Sequence, residues 1–190
     1  MELLLGSKSP RRSQLLMGLG YEFKVVDINC QEVYPKELAC EQVASFLSEL
    51  KSKAYGGDIS NEQVLLTCDT VVCHNNNVLG KPRDFQEARE MLATLSLSTH
   101  EVISAVTLRT RNDIRTFSDK ALVTFCELSS SEIEYYLKKS PPLDKAGSYG
   151  IQDWLGMAKI QEIKGSYYTI MGLPTHLLYQ ELEKLNFHLS

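Results

Sequence analysis

Asp69 is the residue whose position most needs a reason. It lies inside Val64-Leu65-Leu66-Thr67-Cys68-Asp69-Thr70-Val71-Val72-Cys73, a run with the apolar and β-branched content of a buried strand. An ionised carboxylate in such a run costs several kcal/mol unless it is paired or bound to a metal. Asp69 is therefore expected to be a metal ligand, a proton acceptor, or the partner of a lysine at a strand bend. A second group precedes it in the chain, Gly6-Ser7-Lys8-Ser9-Pro10-Arg11-Arg12. Here a short apolar strand gives way to a helix, whose first turn offers unpaired N–H groups and a partial positive charge that suit phosphate. Ser7 and Ser9 add hydroxyls, and Arg11 and Arg12 add guanidinium forks that grip phosphate oxygens in pairs. Cations at a helix start oppose its dipole, so they want an anion nearby; the plainer reading is a capped helix with solvated basic side chains. The spacing is not that of a Walker loop.

Three further segments acquire meaning only beside these two. Glu32, in Asn29-Cys30-Gln31-Glu32-Val33-Tyr34-Pro35, is a loop glutamate that matters as a second carboxylate for a hard cation. Such a cation takes oxygen ligands and often bridges protein to phosphate. Lys81, in Gly80-Lys81-Pro82, is placed to reach phosphate or simply to sit in solvent. The small residues of Asp144-Lys145-Ala146-Gly147-Ser148-Tyr149-Gly150-Ile151-Gln152 let the backbone approach a ligand, and the Gln152 amide can read a base edge. His74, His100, His176 and His188 show no metal-ligand spacing.

The elements that must position these groups can be read from periodicity. Leu3-Leu4-Leu5 reads as a buried strand, followed by a helix capped by Ser9, opened by Pro10 and ended at Gly20. Phe23-Lys24-Val25-Val26 reads as a strand, and Val43, Phe46, Leu47 and Leu50 mark a helix that closes near Gly56-Gly57. His74-Asn75-Asn76-Asn77 is a hairpin turn after the Asp69 strand. Asp84 with Glu87, and Ser129 with Glu132, form capping-box patterns before two further helices. Alternation through Val102 to Leu108 and again through residues 121–125 predicts strands. Residues 158–163 and 167–171 read as paired strands about Gly165-Ser166, and Pro174 opens a last helix. Hairpins beside crossover units call for an α/β protein with a mixed sheet covered by helices.

The whole chain narrows the function classes. At 190 residues it suits one large domain or two closely joined lobes. The formal net charge of −4 argues against broad nucleic-acid affinity, which needs a basic face. Five scattered cysteines without a Cys-x-x-Cys pair fit neither a disulfide framework nor a zinc cluster and suit a reducing cytosol. The apolar run at Leu3-Leu4-Leu5 is too short for a signal peptide, and no stretch reaches the roughly 20 apolar residues of a membrane span. A cytoplasmic protein with no membrane and no nucleic-acid partner is expected.

Together the segments resemble the Maf family of nucleoside triphosphate pyrophosphatases. They are Ser7-Lys8-Ser9-Pro10-Arg11-Arg12 with Leu15-Leu16, Glu32 before Pro35, Cys68-Asp69-Thr70, Leu79-Gly80-Lys81-Pro82, residues 144–152, and Gly165-Ser166-Tyr167 with Gly172-Leu173-Pro174. The resemblance runs along nearly the whole chain and implies one Maf-like α/β domain over residues 1–190. It further implies an elongated mixed sheet flanked by helices, two lobes with a cleft in the manner of Maf and ITPase folds, and a homodimer. It implies hydrolysis of a nucleoside triphosphate to monophosphate and diphosphate with Mg²⁺ or Mn²⁺. Asp69 would accept the proton of water and share the metal with Glu32. Ser7, Ser9, Arg11, Arg12, Lys51 and Lys81 would bind substrate, with Arg11, Thr70 and Gln152 at the specificity positions. The Asp69-Thr70 pair and the run through Gln152 are similar to the dTTP/UTP branch. Activity on 7-methyl-GTP, and a nucleotide-binding regulator of cell division with little turnover, are the alternatives. The chain departs from the family pattern at Gln31, where an acidic residue is usual, and at its helix lysine. Lys51 has the expected spacing from Glu32, but Lys53 is the lysine followed by alanine.

Overall fold

The computed structural model describes residues 1–187 of the chain, so His188 lies outside the described residues. The elements in order are β1 (Glu2–Leu5), α1 (Pro10–Gly18), β2 (Phe23–Val25), α2 (Cys40–Ala54), β3 (Gln63–His74) and β4 (Asn77–Leu79), then α3 (Phe85–Leu95), β5 (Thr99–Arg109), β6 (Ile114–Phe125) and α4 (Ser130–Lys139). A single 3-10 turn (Ala146–Ser148) is followed by α5 (Trp154–Lys159), β7 (Ile160–Lys164), α6 (Tyr167–Met171) and α7 (Thr175–Lys184). The strands join in one sheet in the order β2-β1-β3-β5-β6-β7, with β4 paired to β3. β1 runs parallel to β2 and β3, whereas β3–β4 and β6–β7 are antiparallel, so the α/β mixed sheet expected from the sequence is present.

The chain forms two compact units. Among the described residues the first holds 1–70, 104–119 and 172–187; the second holds 71–103 and 120–171. In the first, Leu3, Leu5, Val64, Leu66 and Cys68 pack with α1 and α7 residues such as Leu16 and Leu178. Leu4 and Leu65, on the opposite face of the same strands, pack with Ile59. This period-2 division is what a strand buried on both faces produces. In the second unit Phe125, Tyr136, Tyr149 and Leu155 build a separate core.

Several expectations need correction. Residues 167–171 are the helix α6 rather than a strand, and the strand before them is β7, beginning at Ile160 because α5 runs through Lys159. β-Propensity in Tyr-Tyr-Thr-Ile-Met yields to the packing of Thr169 and Ile170. Ser9 occupies the N-cap of α1 without a side-chain cap bond; α1 runs to Gly18, and Gly20, at φ +87° with its N–H on the Met17 carbonyl at 2.9 Å, terminates it as expected. α2 closes at Ala54. Asp84 caps α3 by accepting from the Glu87 N–H, but the Glu87 carboxylate turns to Arg83, so only Ser129 and Glu132 complete a reciprocal box. Cys30, Cys68 and Cys126 are free, whereas Cys40 and Cys73 are each disulfide-bonded, which departs from the all-thiol expectation. No helix among the described residues is long and apolar enough to cross a membrane.

His100 of β5 is buried against Phe125 and Tyr149, and its Nε2 lies 2.7 Å from the Tyr149 hydroxyl. Burial, with a smaller push from His74, lowers its pKa to about 3. The folded protein thus binds this proton more weakly than the unfolded chain. Its contribution is complete above the unfolded value near 6.5 and is lost as pH falls toward 3, at ~1.4 kcal/mol per pH unit. Urea unfolding followed between pH 7 and pH 5 should therefore show a steeper acid loss for the parent than for His100→Phe.

Candidate functional site

The first unit gathers most of the residues singled out in the sequence. The parallel ladder of β1 on β3 ends at Leu5↔Leu66, and the Gly6 N–H donates to the Leu66 carbonyl at 2.8 Å. Asp69 therefore stands beyond the end of β1, where the chain leaves the sheet for the Ser7–Arg12 segment. Ligands in open α/β sheets gather at such carboxyl ends of parallel strands. Gly6 is required there: a Cβ would sit 2.4 Å from Ile28 Cδ1 and 2.9 Å from Thr67 Cγ2.

Asp69 and Thr70 are neighbours in sequence but point to opposite faces of β3, so they meet different helices. On the α2 face, the Lys51 ammonium contacts Asp69 Oδ1 and lies 3.0 Å from Glu32 Oε1. Lys51 and Asp69 are only 13% and 10% exposed in their side chains, whereas Glu32 is 43% exposed, so the pair is shielded and the glutamate is at the rim. Burial alone would lower the lysine pKa, but the attraction and hydrogen bond of Asp69 outweigh it and raise the value, with Arg12 opposing and Glu32 helping. Lys51 is therefore a fixed cation. Lys53, which periodicity could not separate from it, is exposed and pairs with Glu49 at 3.1 Å.

On the α1 face, Arg12 gathers three partners. Its Nε donates to the Gly172 carbonyl at 2.9 Å, Nη1 to Ser7 Oγ at 3.1 Å and Nη2 to Thr70 Oγ1 at 3.1 Å. Thr70 Oγ1 also lies 2.8 Å from the buried Ser104 hydroxyl. Gly172 adopts φ +111°, and a Cβ there would approach Thr70 Oγ1 to 3.3 Å, so glycine meets both a conformational and a steric demand. Arg12 thus ties the Ser7 turn to β3 and to the chain before α7, and each terminal nitrogen retains one N–H for an anion. Ser7 Oγ accepts from the Ser9 N–H at 3.3 Å, which bends the segment into α1. Arg11 is half-buried in the first turn of α1, and Lys8 pairs with Asp27 at the surface. Gly172 and Ser104 had no assigned role in the sequence; the glycine before Leu173-Pro174 was the one available signal.

Lys81 and Gln152 belong to the second unit, where both are exposed. Their segments are tied together by Gly147, whose N–H donates to the Gly80 carbonyl at 3.1 Å. Gly147 has φ +65°, and a Cβ would fall 2.8 Å from Val72 Cγ2. Beyond it, the Gly150 N–H donates to the Tyr136 hydroxyl at 3.1 Å, and that hydroxyl donates to Asp153 Oδ2 at 2.8 Å. Ile151 is buried and Asp153 anchored, which leaves Gln152 projecting.

Glu32 and Asp69 bring carboxylate oxygens to one ammonium, a donor pair that a hard divalent cation accepts when phosphate oxygens complete its shell. Among the described residues no three His, Cys, Asp or Glu side chains gather for a metal. A cation here would lean on its substrate.

The family model described as Maf-like protein matches residues 2–185. A dTTP/UTP pyrophosphatase of Porphyromonas gingivalis is 47% identical over 185 residues, covering 96% of this chain and 93% of that protein. Its counterpart in Phocaeicola vulgatus is 43% identical over 185 residues, covering 97% and 96%. Among solved structures, a nucleoside-triphosphatase (dITP/XTP pyrophosphatase) of Mycobacterium abscessus aligns over 68% of this chain and 77% of that one, at 17% identity and TM-score 0.44.

The shielded pair makes a stability prediction. Lys51→Met leaves Asp69 without its counter-charge and should cost about 3 kcal/mol, the usual penalty for one half of a buried pair. Lys51→Met with Asp69→Asn should recover part of that loss, as read by urea unfolding in a double-mutant cycle.

Proposed function

The chain belongs to the Maf-like protein family, and we propose that it hydrolyses dTTP and UTP to the nucleoside monophosphate and diphosphate. The relatives named for this reaction, at 47% and 43% identity along almost the whole chain, supply the substrate class. The observation that carries the chemistry is the meeting of Glu32, Asp69 and Lys51 beyond the end of β1, beside the turn that Arg12 secures.

A triphosphate needs positive charge, an activated water and an alignment of the two. Lys51 and the unspent N–H groups of Arg12 face the phosphates, and Arg11, Ser7 and Ser9 add charge and donors. Lys51 engages Asp69 Oδ1, and Oδ2 is the oxygen we assign to the proton of water. The resulting hydroxide oxygen bonds the α-phosphorus as the bond from that phosphorus to the bridging oxygen breaks. Diphosphate departs with the electron pair, and the proton on Asp69 returns to solvent. Glu32 and Asp69 are the residues that would hold a cation of the Mg²⁺ or Mn²⁺ kind, which would supply neutralisation of phosphate charge. The hydroxyl of Thr70 is the group we assign to base selection, through its hold on Arg12.

The test is turnover with Mg²⁺ or Mn²⁺ on dTTP, UTP, CTP and 7-methyl-GTP, with products separated. Expected are dTMP and UMP with diphosphate, loss of activity on chelation, and a fall of roughly 10²–10⁴-fold in kcat for Asp69→Asn. Release of dTDP and orthophosphate, faster cleavage of 7-methyl-GTP, or parental turnover by Asp69→Asn would each overturn the assignment it addresses.

A further inference from the structure

One step along β3 and one turn back along α2 from the Lys51–Asp69 contact lies a second link between the same two elements. Ser48 and Thr67 are fully buried. Thr67 Oγ1 donates to the Ser48 carbonyl at 2.8 Å, and the Ser48 hydroxyl faces the Thr67 carbonyl at 3.1 Å. The arrangement is reciprocal, each side chain bonding the other residue's backbone. It continues sideways: Ser48 Oγ is 2.9 Å from Thr107 Oγ1 on β5, which is 2.9 Å from Thr116 Oγ1 on β6.

Packing does not call for these hydroxyls. Alanine is the better helix former at a buried α2 position, and a buried hydroxyl is tolerated only because it is bonded. What the hydroxyls add is direction. Apolar contact lets a helix slide and roll over a sheet at little cost, whereas two crossed hydrogen bonds set both its height and its rotation. Thr67 and Asp69 project from the same face of β3, and Ser48 and Lys51 lie one turn apart on α2, so a register set by one pair is transmitted to the other. The Thr67 methyl also bears on Gly6, where the Ser7 turn begins.

We infer that Ser48 and Thr67 form a positioning clamp that holds Lys51 of α2 against Asp69 of β3 in the geometry hydrolysis requires. The residues touch neither substrate nor reacting atoms; they act through the pair beside them. The inference rests on the role given to Asp69 and Lys51 above.

The experiment compares the parent with Ser48→Ala, Thr67→Val, their double variant and Thr67→Ser, by dTTP kinetics, thermal unfolding and crystal structures. Thr67→Val keeps shape and removes the hydroxyl; Thr67→Ser keeps the hydroxyl. In the double variant kcat should fall roughly ten- to a hundredfold, the scale of a misplacement near 1 Å, with KM changed less than about threefold. The Lys51–Asp69 contact should be parted in its crystal structure, and Thr67→Ser should restore both kcat and contact. A folded double variant that keeps the contact, or one that keeps parental kcat, overturns the clamp. If the parent itself leaves dTTP and UTP intact, the proposed reaction fails, and the crystallographic distance still decides whether the clamp positions the pair.

Discussion

The geometry of the first unit depends on an ionic contact made inside a strand. Asp69 is the one charged side chain on the buried stretch of β3, and water cannot supply the solvation its charge requires. Lys51 supplies it, and because both side chains are shielded the attraction is far less screened than at a surface. The exchange binds in both directions: α2 must present a lysine at one height, and β3 must present its carboxylate on one face. Burial works against each charge separately, so neither residue is tolerable without the other. That dependence is what a reactive carboxylate needs, since a group stabilised by bulk water would have no preferred orientation.

The period of the strand then divides labour between two adjacent residues. Asp69 goes to α2 and the carboxylate partner Glu32, while Thr70 goes to α1 and the guanidinium of Arg12. The charged and the hydrogen-bonding halves of the site are therefore built on opposite faces of one strand, and both lie just past the end of β1, whose ladder stops at Leu5↔Leu66. Arg12 is spent partly on architecture. With Ser7, Thr70 and Gly172 as acceptors, its plane is fixed before any anion arrives, and the remaining donors are pre-oriented. Burial has the opposite consequence for Cys68, next in line: it pushes the thiol up, so the side chain stays a neutral part of the core.

Much of this was legible from residue types. A carboxylate within an apolar run declares itself because the cost of burying it is large compared with any propensity. The strand-to-helix turn at Ser7–Arg12 and the hairpin at Asn75-Asn76, whose φ angles of 50° and 61° suit asparagine, were equally plain. Lys51 and Lys53 were not separable, since both flank the apolar stripe of α2 and only the register of helix on strand decides between them. Residues 167–171 misled for a related reason. Five residues carry too short a period to distinguish helix from strand, and local propensity was outweighed by packing. The use of Arg12 as a staple left no trace either, because two of its partners lie 58 and 160 residues away along the chain.

The second unit places its exposed groups by the same physical logic with different parts. Among the described residues no partner defines the direction of Gln152; its neighbours do, with Ile151 buried and Asp153 held by the Tyr136 hydroxyl. Gly147 and Ser148 both adopt left-handed backbone angles, and the glycine's lack of a Cβ leaves room for Val72. Tyr149, anchored on a histidine kept neutral by burial, closes the turn. A projecting side chain becomes specific when the residues on either side of it cannot move. On α2, Lys51 is likewise flanked by Ser48 and Ser52, both fully buried, and the Ser52 carbonyl accepts from Arg109 at 2.8 Å. Polar atoms buried next to a working side chain are costly for stability, but they give its backbone an orientation that hydrophobic contact alone does not.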